Sequence, residues 1–137
     1  MNTPRGIRNN NPGNIRRGNE WQGQIPDAQR TDSAFCQFVT PEYGIRAMCI
    51  ILRNYQQKHG LNTVSGIIRR WAPPGENDTQ TYIDNVARAT GVTPDQPVDT
   101  GDPYFMTKLL QAIIRHENGI QPYGADVFAR ALDLAEN

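Results

Sequence analysis

Apolar residues recur at helical spacing in five stretches of the chain after residue 40. Residues that start helices stand before these stretches, and glycine or proline follows most of them. The predicted helices run from Thr40 to Gly60, from Thr63 to just before Pro73, from Asp78 or Thr79 to Gly91, from Asp102 to Asn118-Gly119, and from Ala125 to Ala135. The pattern therefore predicts a chain that is mainly helical after its first 40 residues.

Residues 1–40 have no helical period and are rich in Asn, Gly, Pro and Arg. The run Asn-Asn-Pro-Gly-Asn at residues 10–14 is typical of a turn. Residues 15–22 and 33–39 predict the two strands of one small β-hairpin, with Cys36 and Phe38 on the same face. We therefore expect a mainly α (α+β) fold, formed by a single domain over residues 1–137.

Composition and length argue against a zinc finger, a small disulfide-rich secreted protein and a membrane-spanning protein. A chain of 137 residues can bury a core without disulfides or metal. It has no apolar run of the length that spans a membrane, and its first 17 residues lack the apolar core of a Sec signal. Cys36 and Cys49 are too few for a disulfide framework and have no zinc-site spacing. The sequence does not decide whether the two form a disulfide with each other. The sequence suggests neither a metal nor an organic cofactor.

Charge is balanced overall, with 14 basic and 14 acidic residues, but it is distributed unevenly. Residues 1–70 have a net charge of +6 and residues 71–137 have −6, and 12 of the 14 bases are arginine. The basic half could bind a nucleic acid, an anionic cell-wall polymer or the acidic half of the same chain. We favour the last of these and expect no nucleic-acid partner, because the chain has no nucleic-acid-binding motif.

Glu117 is the first candidate for chemistry. It borders the apolar face of the fourth predicted helix and lies in the last turn, where the helix dipole disfavours negative charge. Partial burial there would favour a protonated carboxyl, which a general acid needs. The alternative is a helix-end carboxylate paired with Arg115 or Arg130, and position alone does not decide between them.

Other residues are candidates for binding. Glu76 precedes a helix and could equally be a capping carboxylate, and Glu20 stands beside Trp21 on the predicted hairpin. Trp21, Trp71 and Tyr82 offer flat faces for sugar rings, yet each fits a hydrophobic core as well.

A cysteine peptidase is a separate hypothesis. Cys36 or Cys49 would then need to lie within hydrogen-bond reach of His59 or His116. Both cysteines fall within apolar patterns, where cysteine is usually a small core residue rather than a nucleophile.

Several motifs together carry a resemblance. They are RGIRNNNPGNIR at residues 5–16, W-x-G at 21–23, F-x-x-F at 35–38, PE-x-GIRA at 41–47, RWAP at 70–73 and ENDT-x-x-Y at 76–82. Over residues 5–91 the chain resembles a group of phage virion and lysis proteins and related bacterial proteins.

A more distant resemblance is to cell-wall glucosaminidases and lytic transglycosylases of the lysozyme superfamily. In these enzymes a helix ends in the catalytic glutamate, and a segment with W-x-G and F-x-x-Y follows it. Here the similar helix end, AIIRHENG at residues 112–119, follows the W-x-G and F-x-x-F motifs in the chain instead of preceding them. The resemblance implies a circular permutation in which this helix packs against residues 10–14. Asn118 replaces the serine of the family, and Trp71 and Pro73 replace its Tyr or Thr.

The resemblance implies a lysozyme-like fold and cleavage of peptidoglycan between N-acetylmuramic acid and N-acetylglucosamine, by a lytic transglycosylase or muramidase. Glu117 would be catalytic, with Glu76 or Glu20 as a second carboxylate if water attacks. The implied substrate-binding residues are Asn11, Asn14, Trp21, Trp71, Glu76 and Tyr82.

We expect a monomer that is made in the cytoplasm without a Sec signal. It would reach the periplasm and cell wall in a virion, through a holin or by a secretion system, in phage infection and lysis or as an antibacterial effector. The sequence does not decide whether an inhibitor or immunity protein blocks the cleft. The rival from another class is a non-catalytic virion structural or wall-binding module.

Overall fold

The computed structural model describes residues 3–136, and in this range six α-helices account for most of the ordered backbone. They are α1 (Arg5–Arg8), α2 (Pro41–His59), α3 (Val64–Trp71), α4 (Thr79–Thr90), α5 (Pro103–Asn118) and α6 (Ala125–Glu136), with a 3₁₀ turn at Asp27–Gln29. The prediction of five long helices is confirmed. The one-turn helix α1 was not predicted, because four residues are too few to show a helical period.

Capping residues fix most of the helix ends. The side-chain oxygens of Thr63, Asp78 and Asp102 accept hydrogen bonds from backbone N–H groups in the first turns of α3, α4 and α5. Three helices end at a glycine in the left-handed conformation: Gly60, Gly91 and Gly119. Thr40 stands at the N-cap of α2, but its side chain makes no capping bond. The start of α2 is instead favoured by the proline at its first position.

The predicted β-hairpin is wrong. Within the described residues the extended segment 34–39 forms only two isolated antiparallel bridges, Arg16–Phe35 and Gln24–Phe38. This segment pairs first with residues 15–17 and then with residues 23–25, so it changes partner after a single bridge. A continuous ladder cannot form when the partner changes this early. The predicted alternation survives in part, since Cys36 and Phe38 both point into the protein.

The main hydrophobic core lies among the five long helices. Helix α6 contributes the buried ring of Phe128. The other four long helices contribute the largest fully buried aliphatic side chains, which are Ile45, Met48, Leu52, Ile67, Ile68, Ile83, Met106, Leu109, Leu110 and Ile113. A smaller cluster of Cys36, Phe38 and Ala47 lies under the N-terminal segment. Both cysteines are free and buried, Cys49 in the main core. None of the helices in residues 3–136 is long and apolar enough to cross a membrane.

Two ion pairs join the basic and the acidic halves of the chain. Arg53 of α2 contacts Glu136 at 2.6 Å, and Arg130 of α6 contacts Glu42 at 2.9 Å. Pairs this exposed add little to stability. Only the Arg53–Glu136 pair joins a base of residues 1–70 to an acid of residues 71–137, which is the pairing that the sequence favoured; Arg130–Glu42 runs in the opposite direction.

Asp32 anchors residues 5–9. It is buried and accepts hydrogen bonds from two guanidinium nitrogens of Arg5 (2.7 and 2.6 Å), from Asn9 (2.8 Å) and from the backbone N–H groups of Ala34 and Phe35. The Arg5 guanidinium is the main reason that the pKa of Asp32 lies well below its usual range, and it outweighs burial, which acts in the opposite direction.

Asp32→Asn should lower the free energy of unfolding at pH 7 by about 2 kcal/mol, because hydrogen bonds to a charged group are lost. The depressed pKa stabilises the fold above the unfolded-state value near 4, and this contribution is lost as the pH falls below it. Urea unfolding of Asp32→Asn should therefore depend less on pH below about 4 than that of the wild type. Asp27→Asn, at an exposed carboxylate, is the control. An acid dependence as steep as that of the wild type would contradict the role of Asp32.

Candidate functional site

A buried loop at residues 9–14 builds one side of the site. The fully buried Asn11 side chain donates to the backbone carbonyls of Ile15 (3.0 Å) and Cys36 (2.9 Å) and accepts from the N–H of Ile15 (3.0 Å). These bonds replace the water that a surface loop would have. The structure thus places Asn11, a predicted substrate-binding residue, in the support of the loop rather than on an open surface.

Two asparagines in this loop adopt left-handed backbone conformations. The φ angles of Asn10 and Asn14 are 53° and 51°, in a region that asparagine tolerates better than most residues. The loop crosses the first turn of α2 so closely that a Cβ atom on Gly44 would overlap the carbonyl oxygen of Asn10. Glycine at residue 44 is therefore a condition for the path of the loop.

The loop lies against the C-terminal end of α5. Asn118 donates to the carbonyl of Pro12 (2.8 Å), and the side-chain amide of Asn14 donates to Oε1 of Glu117 (3.0 Å) across 103 positions of sequence. The contact that the sequence led us to expect between the glutamate-bearing helix and residues 10–14 is present. The circular permutation stays a prediction.

Glu117 is half-buried at this junction. Its second oxygen, Oε2, accepts a hydrogen bond of 2.8 Å from the hydroxyl of Tyr82 in α4. None of the ion pairs in residues 3–136 includes Glu117, and Arg130 instead contacts Glu42 and Asp126. The arrangement is therefore a carboxylate held by two neutral donors, not a helix-end carboxylate neutralised by arginine.

Tyr82 is a hydrogen-bond donor that does not ionise near neutral pH. Burial raises its pKa far above the usual range, and the charge of Glu117 and the hydrogen bond between them raise it further. The ring of Tyr82 stacks on the ring of His116, with 3.7 Å between centroids. These contacts fix both the protonation and the position of the hydroxyl.

A cavity of about 370 Å³ opens beside Glu117. Three of the predicted binding residues, Asn14, Trp71 and Glu76, line it, while Tyr82 reaches Glu117 from the buried side. Trp71 is half-buried and Glu76 is exposed, in the loop between α3 and α4. The structure thus brings together residues from the N-terminal loop, α3, the α3–α4 loop and α5.

Two predicted residues lie elsewhere. Trp21 packs against the small cluster around Phe38, and its side chain does not line this cavity. Glu20 lines a separate cavity with Arg17 and Arg30. Of the two suggested second carboxylates, only Glu76 shares the cavity of Glu117.

Arg16, Phe35 and Tyr55 also line the cavity, although the sequence pattern did not single them out as site residues. The guanidinium groups of Arg5 and Arg16 lie over the ring of Phe35, at 4.5 and 4.9 Å from its centre. The alternation that turns Cys36 inward turns Phe35 outward, and this was the available signal. Tyr55 falls on the apolar period of the helix predicted from Thr40 to Gly60, and it also packs against the main core, so its position in the sequence does not distinguish the two roles.

The two thiols are buried and have raised pKa values, whereas a nucleophilic cysteine needs a lowered one. Burial raises the pKa of Cys49 to about 11 and also raises that of Cys36, whose Sγ is 3.6 Å from the carbonyl oxygen of Arg16. No hydrogen bond in the described chain joins either cysteine to His59 or His116. Residues 3–136 also contain no group of three or more His, Cys, Asp or Glu that could hold a metal ion.

The structure defines a class of protein: a mainly helical domain with one hydrogen-bonded carboxylate at a helix end, facing a cavity with aromatic and polar walls. The chain is 41% identical to Protein P5 of Pseudoalteromonas phage PM2 over 133 residues, which cover 94% of this chain and 80% of that protein. The chain belongs to the same family of phage proteins as Protein P5. No protein-family model matches it.

Gly44→Ala tests the crossing of the loop over α2. In an exposed helix this change would stabilise by about 1 kcal/mol. Here the added methyl group would displace the carbonyl of Asn10, so we expect a net loss of about 2 kcal/mol in the free energy of unfolding, measured by urea denaturation. Gln57→Ala, at an exposed position of the same helix, should stay within about 0.5 kcal/mol of the wild type. A stabilised Gly44→Ala protein would contradict the close crossing.

Tyr82→Phe tests the hydrogen bond to Glu117. The ring keeps its packing, so the loss should be that of one hydrogen bond, about 1 kcal/mol in the free energy of unfolding. Tyr104→Phe is the control, because the Tyr104 side chain is exposed. Equal stability of Tyr82→Phe and Tyr104→Phe in thermal and urea unfolding would contradict a bond between Tyr82 and Glu117.

Proposed function

We propose that this protein cleaves the glycan strands of peptidoglycan between N-acetylmuramic acid and N-acetylglucosamine, with Glu117 as the general acid. The observation that carries the proposal is the carboxyl of Glu117, held by Asn14 and Tyr82 at the wall of an open cavity and paired with no cation among the described residues. A proton donor needs this combination of fixed position and access to substrate.

The two hydrogen bonds leave room for a proton on Glu117. A carboxyl group has about four lone-pair positions, and Asn14 and Tyr82 use one on each oxygen. A remaining position can carry the proton that is donated to substrate. Because Tyr82 keeps its own proton, it acts as a positioning residue and not as a competing base.

The lining of the cavity suits a carbohydrate. Trp71, Tyr55 and Phe35 supply apolar faces, and Arg16, Asn77 and Glu76 supply polar groups around them. Sugar rings have apolar faces and hydroxyl edges, so a wall of this mixed kind can contact both. This lining favours a glycan over a purely apolar ligand.

A single carboxyl can complete the reaction. Glu117 gives its proton to the glycosidic oxygen as the bond from that oxygen to C1 of the muramoyl residue breaks. The C6 hydroxyl of the same residue then attacks C1, and the Glu117 carboxylate takes the proton of that hydroxyl. The products are a 1,6-anhydro end and a free 4-hydroxyl, and Glu117 is again protonated.

Hydrolysis is the second form of the same function. Glu76 lines the cavity of Glu117 and could activate a water molecule, which would leave a reducing end instead of an anhydro ring. Glu20, which lies in a different cavity, has no such part in this scheme.

The family relationship supports a phage setting for the proposed activity. We propose that the protein meets the cell wall from a virion or after release through a holin, during infection or lysis. It would act there as a monomer, without nucleic acid or a cofactor. Delivery by a secretion system as an antibacterial effector, opposed by an immunity protein, is the other route compatible with this chemistry.

The test is a digest of purified peptidoglycan sacculi, with products read by mass spectrometry. The wild type should release anhydro-muropeptides, and Glu117→Gln should release at least about 100-fold less, because general acid catalysis contributes about that much or more. Glu20→Gln is the matched control and should retain wild-type rates. Near-ultraviolet circular dichroism would confirm that the variants are folded.

Each other outcome has a defined meaning. Hydrated reducing ends that disappear in Glu76→Gln would indicate hydrolysis with two carboxylates. Cut stem peptides, or full activity of Glu117→Gln, would contradict the proposal. No product from folded wild-type protein would favour the non-catalytic virion or wall-binding module.

A further inference from the structure

A second concave surface lies on the other side of the helix end that bears Glu117. Two cavities, of about 460 and 270 Å³, lie between α4 and α5 and share Ala89, Ala112 and Arg115, so they form one groove, which we call the α4–α5 groove. The two alanines belong to its apolar lining. Arg88, Arg115, Lys108 and His116 supply its basic groups.

The groove is basic, although the half of the chain that forms it is acidic. Residues 71–137 have a net charge of −6 and only four Arg or Lys residues, and three of those four line the groove. No acidic residue lines it in the described part of the chain, and none of the ion pairs there includes Arg88, Lys108 or Arg115. Three cations without anionic partners on one concave surface are complementary to an anionic ligand.

Adjacent residues of α5 line the groove and the cavity of Glu117, although the two have no lining residue in common. His116, which lines it, is the neighbour of Glu117 in α5, and its ring stacks on Tyr82, whose hydroxyl contacts Glu117. One pair of stacked rings therefore separates the groove from the carboxyl. A glycan bound in the cavity and a substituent bound in the groove would therefore both contact the last turn of α5.

We propose that the α4–α5 groove binds the acidic peptide stem of the peptidoglycan strand whose glycan occupies the cavity of Glu117. The stem is attached to the muramoyl residue next to the bond that would be cut, and it combines alanine methyl groups with free carboxylates. The alanine-containing floor suits the methyl groups, and the arginines suit the carboxylates. The inference rests on the proposed function, which it deepens by adding a peptide requirement to a glycan-cleaving site.

Two measurements test the proposal separately from cleavage itself. First, free tetrapeptide stem is titrated into the ¹⁵N-labelled full-length protein. Amide shifts should cluster near Arg88, Arg115 and Gly119, and Arg88→Gln/Arg115→Gln should bind about tenfold or more weakly. Lys58→Gln/Arg69→Gln, which removes the same charge from exposed positions outside the groove, should bind like the wild type.

Second, rates are compared on glycan strands with stems and on strands from which an amidase has removed the stems. The wild type should prefer stem-bearing strands by about tenfold, and the Arg88/Arg115 double variant should lose this preference while still cutting bare strands. Absence of peptide binding, equal binding by both double variants, or cleavage by the wild type without a preference would overturn the proposal. So would inorganic phosphate that displaces the stem at equal concentration, since the groove would then be a general anion site. If no strand is cut, the proposed function fails, and the titration alone decides whether the groove binds the stem.

Discussion

A buried loop has to be held by polar contacts inside the protein, and asparagine side chains tie residues 9–14 to their surroundings. Asn11 bonds the backbone of Ile15 and Cys36, and Asn118 from α5 bonds the carbonyl of Pro12. The loop is therefore fixed both to the segment that follows it and to the end of α5. Because Asn14 belongs to this loop, the position of the Glu117 carboxyl depends on the same hydrogen bonds.

The end of α5 serves two surfaces because successive residues of a helix point about 100° apart. Glu117 faces the cavity beside the N-terminal loop, and Arg115 and His116 face the groove next to α4. Tyr82 lies between the two surfaces: its hydroxyl contacts Glu117 and its ring contacts His116. A ligand that bound on both surfaces would contact α4, α5 and the loop, which these bonds join.

The long helices could be predicted because their signals are local. Apolar spacing, N-cap residues such as Asp78 and Asp102, and the C-terminal Gly91 and Gly119 act within a few residues of each helix end. The hairpin could not be predicted correctly for the opposite reason. Alternation identified residues 34–39 as extended, but their two successive partners are set by the path of residues 9–25 through the tertiary structure.

For the site, the sequence by itself determined the chemistry that is available: a glutamate at a helix end, nearby asparagines, and aromatic residues able to contact a sugar. It could not distinguish Asn14, which reaches Glu117, from Asn11, which supports the loop, because the two side chains have the same chemistry. It could not distinguish Trp71, which lines the cavity, from Trp21, which packs on the small cluster, for the same reason. Only the tertiary structure decided these roles, because each depends on packing between segments that are distant in the chain.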